Sequence, residues 1–295
     1  MSLPEPVDVV IVTYNSADEI RACLEPLAPL ADVRTIVVDN ASSDETRRIV
    51  SDLRVETIAL ERNVGFAAGV NVGWRAASAP YVLLLNPDAR IEPDALAHLV
   101  RILDARDDAG AVGPRILEAN GRVAFSQRRF PRLRSTYARA IFLHRVFPRS
   151  SWSDELVRSE VEYRLAQEPE WLSGACLLVR RSDLEEMGGL DEAFFMYSED
   201  TDLCKRLWHS GRRVLFDPGA VVHHTGGGSA PRAGLLTMLA ASRLIYARKH
   251  HSRFVANLHR VGIALEAASR IVLSRADAPY RRGQARAFWY LCTGR

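Results

Sequence analysis

Cysteine is scarce: four residues, at 23, 176, 204 and 292, are spread over 295 positions and form no Cys-x-x-Cys pair. That argues against a disulfide framework or a structural zinc site and favours a reducing compartment. No stretch reaches the ~18 uninterrupted apolar residues of a membrane span. The first seven residues hold two prolines and no basic residue ahead of an apolar run, so they are not expected to act as a signal peptide. No Gly-x-Gly-x-x-Gly follows the first strand-like run, which removes the main support for dinucleotide binding. Acid is missing from 119 to 153, a stretch with eight arginines; from 230 to 295 only Glu266 and Asp277 face twelve Lys and Arg. The overall charge of +3 therefore conceals basic regions set against an acidic remainder, a pattern that suits an anionic partner such as a membrane, phosphates or nucleic acid. With 47% apolar and 25% charged residues, the chain is globular in composition. It is long enough for one large domain with or without an appendage.

Strand-like runs end at Thr13, Val38, Leu60 and Leu85, and helical patterns separate them: one through Ile20, Cys23, Leu24 and Leu27, one capped by Ser43 and Asp44, one over 66–77, and one from Pro93 to about 106. Such alternation predicts a parallel sheet covered on both faces. Ligands bind at the carboxyl ends of such strands. That rule gathers Thr13-Tyr14-Asn15, Asp39-Asn40, the 62–65 loop and Asn86-Pro87-Asp88 into one mouth. Further on, strands are expected over 111–117, 121–125, 171–179, 214–216 and 220–223. A helix is expected over 197–210, a basic excursion over 130–149, and two or three helices after Leu235.

Each chemical candidate has a plain structural reading beside it. Asp88 can hold a hard divalent cation, although Asn-Pro-Asp is also turn chemistry. The glycines from Gly65 to Gly73 suit either phosphate at a helix start or close helix-to-sheet packing. Asp200 shares a helix face with Leu203, Cys204 and Leu207. An inward carboxylate on an apolar wall is disfavoured in its charged form and suits a general base, while acids at a first turn also simply answer the helix dipole. Asp202 and Arg206 are spaced to pair. His223 and His224 precede Gly226-Gly227-Gly228, and one imidazole can complete a metal shell begun by a carboxylate.

In chain order, the segments 10–16 (VIVTYNS), 38–44 (VDNASSD), 63–71 (NVGFAAGVN), 84–88 (LLNPD), 171–175 (WLSGA), 188–196 (GGLDEAFFM), 199–203 (EDTDL) and 224–229 (HTGGGS) resemble the family 2 glycosyltransferases of the GT-A fold. Within that family they are most similar to the rhamnosyltransferase-like branch of bacterial cell-surface polysaccharide synthesis. The resemblance implies an α/β, Rossmann-like, mixed but mainly parallel sheet flanked by helices. It implies a catalytic domain over 1–230, with a nucleotide half to about 110 and an acceptor half beyond, and a basic amphipathic helical extension over 231–295. It implies a nucleotide-sugar site of Thr13, Tyr14, Asn15, Asp39, Asn40, Asn63, Gly65, Asn86 and Asp88, with Tyr14 and Asp39 on the base. It further implies Mg²⁺ or Mn²⁺ on Asp88 and His224, with His223 the alternative, and Asn86 standing where the motif's first acid is usual. Asp200 would be the base of an inverting transfer, with Trp171, Ser173, Gly174 and Glu199 lining the sugar and acceptor site.

The implied donor is a dTDP- or UDP-sugar, and the implied acceptor a glycan or a polyprenyl-diphosphate-linked glycan. Nucleic acid is not expected as a partner. A cytoplasmic chain peripheral to the inner face of the plasma membrane is expected, docked by the basic helical segment carrying Arg243, Arg248, Lys249, Arg253 and Arg260. The competing readings are a sugar nucleotidyltransferase, which would want a basic Gly-rich loop where Thr13-Tyr14-Asn15-Ser16 stands, and a non-catalytic nucleotide or polyanion binder.

Overall fold

A computed structural model describes residues 2–225, 233–273 and 277–294. The first half runs β1 (Val7–Thr13), α1 (Ile20–Leu24), β2 (Val33–Asp39), α2 (Thr46–Ser51), β3 (Glu56–Ala59), α3 (Phe66–Arg75) and β4 (Tyr81–Leu85). Then come β5 (Ala89–Ile91), α4 (Pro93–Asp104), β6 (Ala109–Glu118), β7 (Gln127–Arg128), α5 (Leu133–Ala140) and α6 (Leu143–Val146). The remainder is β8 (Trp171–Leu172), β9 (Cys176–Arg180), α7 (Arg181–Met187), α8 (Glu199–His209), β10 (Arg213–His224), α9 (Leu236–His250), α10 (Arg253–Leu273) and α11 (Ala278–Thr293).

Eight strands form one sheet in the order β3-β2-β1-β4-β9-β6-β10-β5. β1 lies parallel to both β2 and β4, with Ile11 opposite Val37 and Leu85. All seven residues of β1 and all five of β4 are buried, as expected of strands covered on both faces. β9 enters between β4 and β6 and runs antiparallel to each, so the sheet is mixed. Gly69 and Gly73 of α3 permit close packing on β1: a Cβ would stand 2.8 Å from Val12 Cγ1 and 2.4 Å from Val10 Cγ1 respectively. Helix-to-sheet packing is therefore the work of these two glycines.

Several expectations in the second half change. The 171–179 run is two strands, not one: β8 pairs with β7 in a separate two-stranded sheet, and β9 joins the main sheet. Residues 121–125 form no strand beyond a single bridge between Leu117 and Val123. The two short strands around 214–223 are one, β10, whose register on β6 shifts between Asp217 and Val221, where Pro218-Gly219 interrupts the ladder.

The chain divides into two compact units. The first (1–128, 159–192 and 200–228) holds both sheets and carries 20 Lys and Arg against 31 Asp and Glu. The second (129–158, 193–199 and 229–295) is helical and carries 19 against 5. In that second unit α10 packs on α5, α9 and α11, and Ala240, Leu244, Ile263, Ala287 and Leu291 form a core. Buried Glu266 accepts from Arg243 Nη1 at 2.8 Å and Arg270 Nη2 at 2.8 Å, and Arg139 Nη2 lies 3.4 Å away. Arg260 donates to the last carbonyls of α11, Leu291 and Cys292.

Candidate active site

At the carboxyl ends of β1 and β2 the chain turns sharply and is held by its own side chains. Asn15 and Ala41 adopt left-handed backbone angles, φ 52° and 65°. Asn15 N–H donates to Ser42 Oγ at 3.0 Å, and Asn15 Oδ1 accepts from Ser43 N–H at 2.8 Å. Thr13 is fully buried and its carbonyl accepts from Asn40 N–H at 2.8 Å; Tyr14 beside it is 52% exposed. Asp39 is buried, with its carboxylate accepting from Ser42 N–H and from Arg47 Nε. Asn40 ties in the third loop: its Nδ2 donates to Asn63 Oδ1 at 3.0 Å and Gly65 O at 3.1 Å, and its Oδ1 accepts from Val64 N–H at 2.9 Å. Gly65, at φ 91°, starts α3, a conformation that side chains rarely adopt. Thr13, Asn15, Asp39, Asn40, Asn63 and Gly65 are thus tied together by hydrogen bonds at three strand ends, with Tyr14 exposed beside them.

The β4 end supplies the next piece. Asp88 Oδ1 lies 3.0 Å from His224 Nε2, with 25% and 21% of the two side chains exposed. Thr225 fixes the same turn, donating to Asp88 O through its N–H at 2.9 Å and its hydroxyl at 3.1 Å. The pairing is a product of β10, which runs antiparallel to β5 with His224 opposite Ala89. Strand alternation sends His223 to the other face, where it is exposed, so His224 and not His223 meets Asp88. The carboxylate oxygen suits a hard divalent cation, and the imidazole nitrogen beside it is able to complete such a shell; both are reachable from solvent. Among the described residues no group of three ligating side chains assembles. Gly226 to Ser229 lie outside the described residues.

Asp200 stands in the first turn of α8, a helix that follows two residues with left-handed backbone, Tyr197 (φ 72°) and Ser198 (φ 68°). Each such residue costs about 1–3 kcal/mol and persists only where its surroundings impose it. Gly174 N–H donates to Asp200 Oδ2 at 3.0 Å, and Thr201 N–H to Oδ1 at 2.7 Å. A Cβ on residue 174 would meet Asp200 Cβ at 3.3 Å, so glycine there lets the loop sit against the carboxylate. Burial raises the Asp200 carboxyl above the ordinary carboxylate range, outweighing the two backbone donors and the positive charge of Arg128. Below Asp200 the helix buries Leu203, Cys204 and Leu207 completely, the predicted face. Asp202 accepts from Arg206 Nε at 2.8 Å, the predicted pair.

The two carboxylates belong to one end of the sheet. Asn86 N–H donates to Ala175 O at 2.9 Å, and Ala175 follows Gly174, which holds Asp200. Trp171 is buried under the Arg128 guanidinium, 5.1 Å from the ring centre, and Ser173 N–H donates to Ser126 O at 3.1 Å. Glu199, which opens α8, is buried. The sequence does not single out Arg47, and it offers Arg128 only as the first of a run of arginines for a membrane surface or the acceptor's phosphates. Arg47 grips Asp39, and its position eight residues on gives no periodic signal. Arg128 faces Trp171 across the β7–β8 ladder, and two residues are too few for a strand pattern.

The glycosyl transferase family 2 model matches residues 8–188. Over 239 residues the chain is 32% identical to the N-acetylglucosaminyl-diphospho-decaprenol L-rhamnosyltransferase of Mycobacterium tuberculosis, covering 75% of this chain and 77% of that protein. It is 28% identical over 224 residues to rhamnosyltransferase WbbL of Escherichia coli (strain K12), covering 72% and 80%. Among solved structures, S. aureus TarS 1-349 in complex with UDP-GlcNAc aligns with a TM-score of 0.56 at 17% identity, over 97% of this chain and 81% of that one. Mannosyltransferase PcManGT from Pyrobaculum calidifontis, in complex with GDP-Man and Mn²⁺, gives 0.52 at 19% identity, over 97% and 70%. These likenesses establish the GT-A fold.

Proposed function

Because the chain belongs to glycosyl transferase family 2, in its rhamnosyltransferase-like branch, we propose that it moves a sugar, rhamnose by likeness to its relatives, from a dTDP- or UDP-linked donor to a glycan hydroxyl with inversion. The transfer depends on Mg²⁺ or Mn²⁺, and the acceptor is a polyprenyl-diphosphate-linked or related glycan of cell-surface polysaccharide synthesis, met at the inner face of the plasma membrane. The observation that carries this reading is the link from Asp200 through Gly174 and Ala175 to Asn86, which connects a carboxylate with a raised pKa to the strand-end turn that carries the Asp88–His224 pair.

The donor's nucleotide lies against Tyr14 and the hydrogen-bonded group around Asp39, Asn40, Asn63 and Gly65. Asp88 and His224 would hold the divalent cation, which would supply Lewis-acid stabilisation of the charge appearing on the leaving diphosphate. Asp200 accepts the proton of the acceptor hydroxyl as its oxygen attacks the anomeric carbon from the side opposite the diphosphate. One bond forms as the other breaks, so a single displacement with a single base inverts that carbon; retention through a glycosyl-enzyme would need a second, nucleophilic carboxylate. The Gly174 and Thr201 N–H groups fix one Asp200 oxygen each and so aim the carboxylate. Trp171, Ser173, Gly174 and Glu199 border the acceptor side.

The test is release of nucleoside diphosphate from candidate dTDP- and UDP-sugars with Mn²⁺ and a lipid-linked acceptor. Wild type is expected to turn over, and Asp200→Asn to lose about 10²–10⁴-fold in kcat, the usual worth of a positioned base. Equal rates for the two would remove Asp200 from the chemistry. Nucleotide binding without turnover on any donor would favour the binding-protein reading.

A further inference from the structure

The amphipathic segment expected to meet a membrane spans α9 and α10, and the structure redistributes its residues. Arg243 of α9 is turned inward onto Glu266, and Arg260 is engaged by the end of α11. Leu236, Leu244 and Tyr246 of α9 are buried. The large apolar side chains left outside belong to α10. Phe254, Val261, Leu265 and Val272 are 72%, 50%, 48% and 76% exposed. Their spacings of 7, 4 and 7 residues place them on one line along the helix, about 27 Å long at 1.5 Å per residue. Asn257 and Ala268 complete this face, so no charge interrupts it. Arg253 begins the helix, and Trp289 of α11 is 65% exposed in the same unit.

We propose that this stripe of α10 is the surface that lies in an anionic lipid bilayer, with the helix parallel to the membrane plane. The inference rests on the proposed membrane-linked acceptor and names the element that meets the lipid. An uncharged apolar line suits acyl chains, and the unit that bears it holds 19 basic residues against 5 acidic ones, the complement of anionic headgroups. A second copy docking stripe to stripe would bring two such positive units together. A nucleic acid would be met by guanidiniums, not by four apolar side chains. No helix among the described residues is long and apolar enough to cross a membrane, in keeping with a helix that lies in the interface.

The full chain is tested by co-sedimentation with phosphatidylcholine vesicles with and without 30% phosphatidylglycerol. Binding is expected only to the anionic vesicles, weakened by raised salt and lowered at least tenfold by Val261→Asp/Leu265→Asp. Phe254→Trp is expected to give blue-shifted emission on those vesicles. Both substituted positions are outward-facing, so the double variant is expected to keep the wild-type circular dichroism and its turnover of a water-soluble acceptor. Unchanged vesicle binding by the double variant would overturn the proposal. So would a stripe-dependent dimer seen by sedimentation with no vesicle binding, or binding to nucleic acid in place of vesicles. Lost vesicle binding with turnover intact supports the surface, whereas absent turnover in wild type refutes the transferase reading and leaves the vesicle result standing.

Discussion

Glu266→Gln isolates the charge at the centre of the helical unit. The substitution keeps the shape of the side chain and removes one negative charge facing the guanidiniums of Arg139, Arg243 and Arg270. The Glu266 side chain is only 8% exposed and those of Arg270 and Arg243 are 10% and 16% exposed, so water does little to replace it. Breaking a buried ion pair costs about 3–5 kcal/mol. The lower end applies, because the new amide oxygen still accepts one N–H, Arg139 keeps Asp154 at 3.4 Å and Arg270 keeps the Phe142 ring at 5.1 Å. About 3 kcal/mol corresponds to a fall in melting temperature of roughly 5 °C for a chain of 295 residues unfolding as a whole.

The pH dependence of that loss is a second signature. Burial alone would raise the Glu266 carboxyl, but Arg139, Arg243 and Arg270 together hold it far below the carboxylate range. A group lowered on folding stabilises fully above its unfolded pKa, and the gain is lost as pH falls toward the folded value. The deficit of Glu266→Gln is therefore expected to be constant from pH 7 to about 5 and to shrink by roughly 1.8 kcal/mol at pH 3. Urea titrations of both proteins at pH 7 and pH 3 measure this. A deficit under 1 kcal/mol, or one that is the same at both pH values, would refute the charge-centred account.

Asp200 gives the opposite sign. Its carboxyl is raised by burial and a base works only when ionised, so kcat is expected to fall on acidification with a midpoint above the ordinary aspartate value of about 4. The residual activity of Asp200→Asn is expected to lack that limb; a profile identical in both proteins would assign it to another group. For the metal, His224→Ala is expected to weaken Mn²⁺-dependent thermal stabilisation by nucleoside diphosphate at least tenfold in Mn²⁺ concentration, and His223→Ala to leave it intact. Equal effects of the two substitutions would separate His224 from the cation.

Legibility followed the kind of signal each element carries. β1, β2 and β4 are continuous apolar runs because both faces are covered, and a buried run needs no register to be read. Position at their carboxyl ends then exposed most of the candidate site. β9 merges with β8 in the sequence because Leu172-Ser173-Gly174-Ala175-Cys176 offers no charge to mark the break. β10 reads as two pieces because Pro218-Gly219 resembles a terminator, although the strand absorbs it as an irregularity. α5 is hidden within the basic excursion, since the residues it buries are Ser135, Thr136, Ala138 and Ala140, too small to trace an apolar stripe. The Asp88–His224 meeting depends on β5, three residues long; no strand periodicity shows a pairing that short, and only the family resemblance put the two residues together.

β9 lies head-to-tail beside β4, so Cys176 at its beginning is opposite Leu85 at the other's finish. The peptide arriving at one strand therefore borders the peptide departing from its neighbour. Under the proposed function, the former handles the incoming alcohol and the latter the nucleotide-bound sugar. A change of backbone at 173–175 would therefore be felt on both sides at once, at Asp200 through the Gly174 N–H and at the Asn86-to-Asp88 turn through the Ala175 carbonyl.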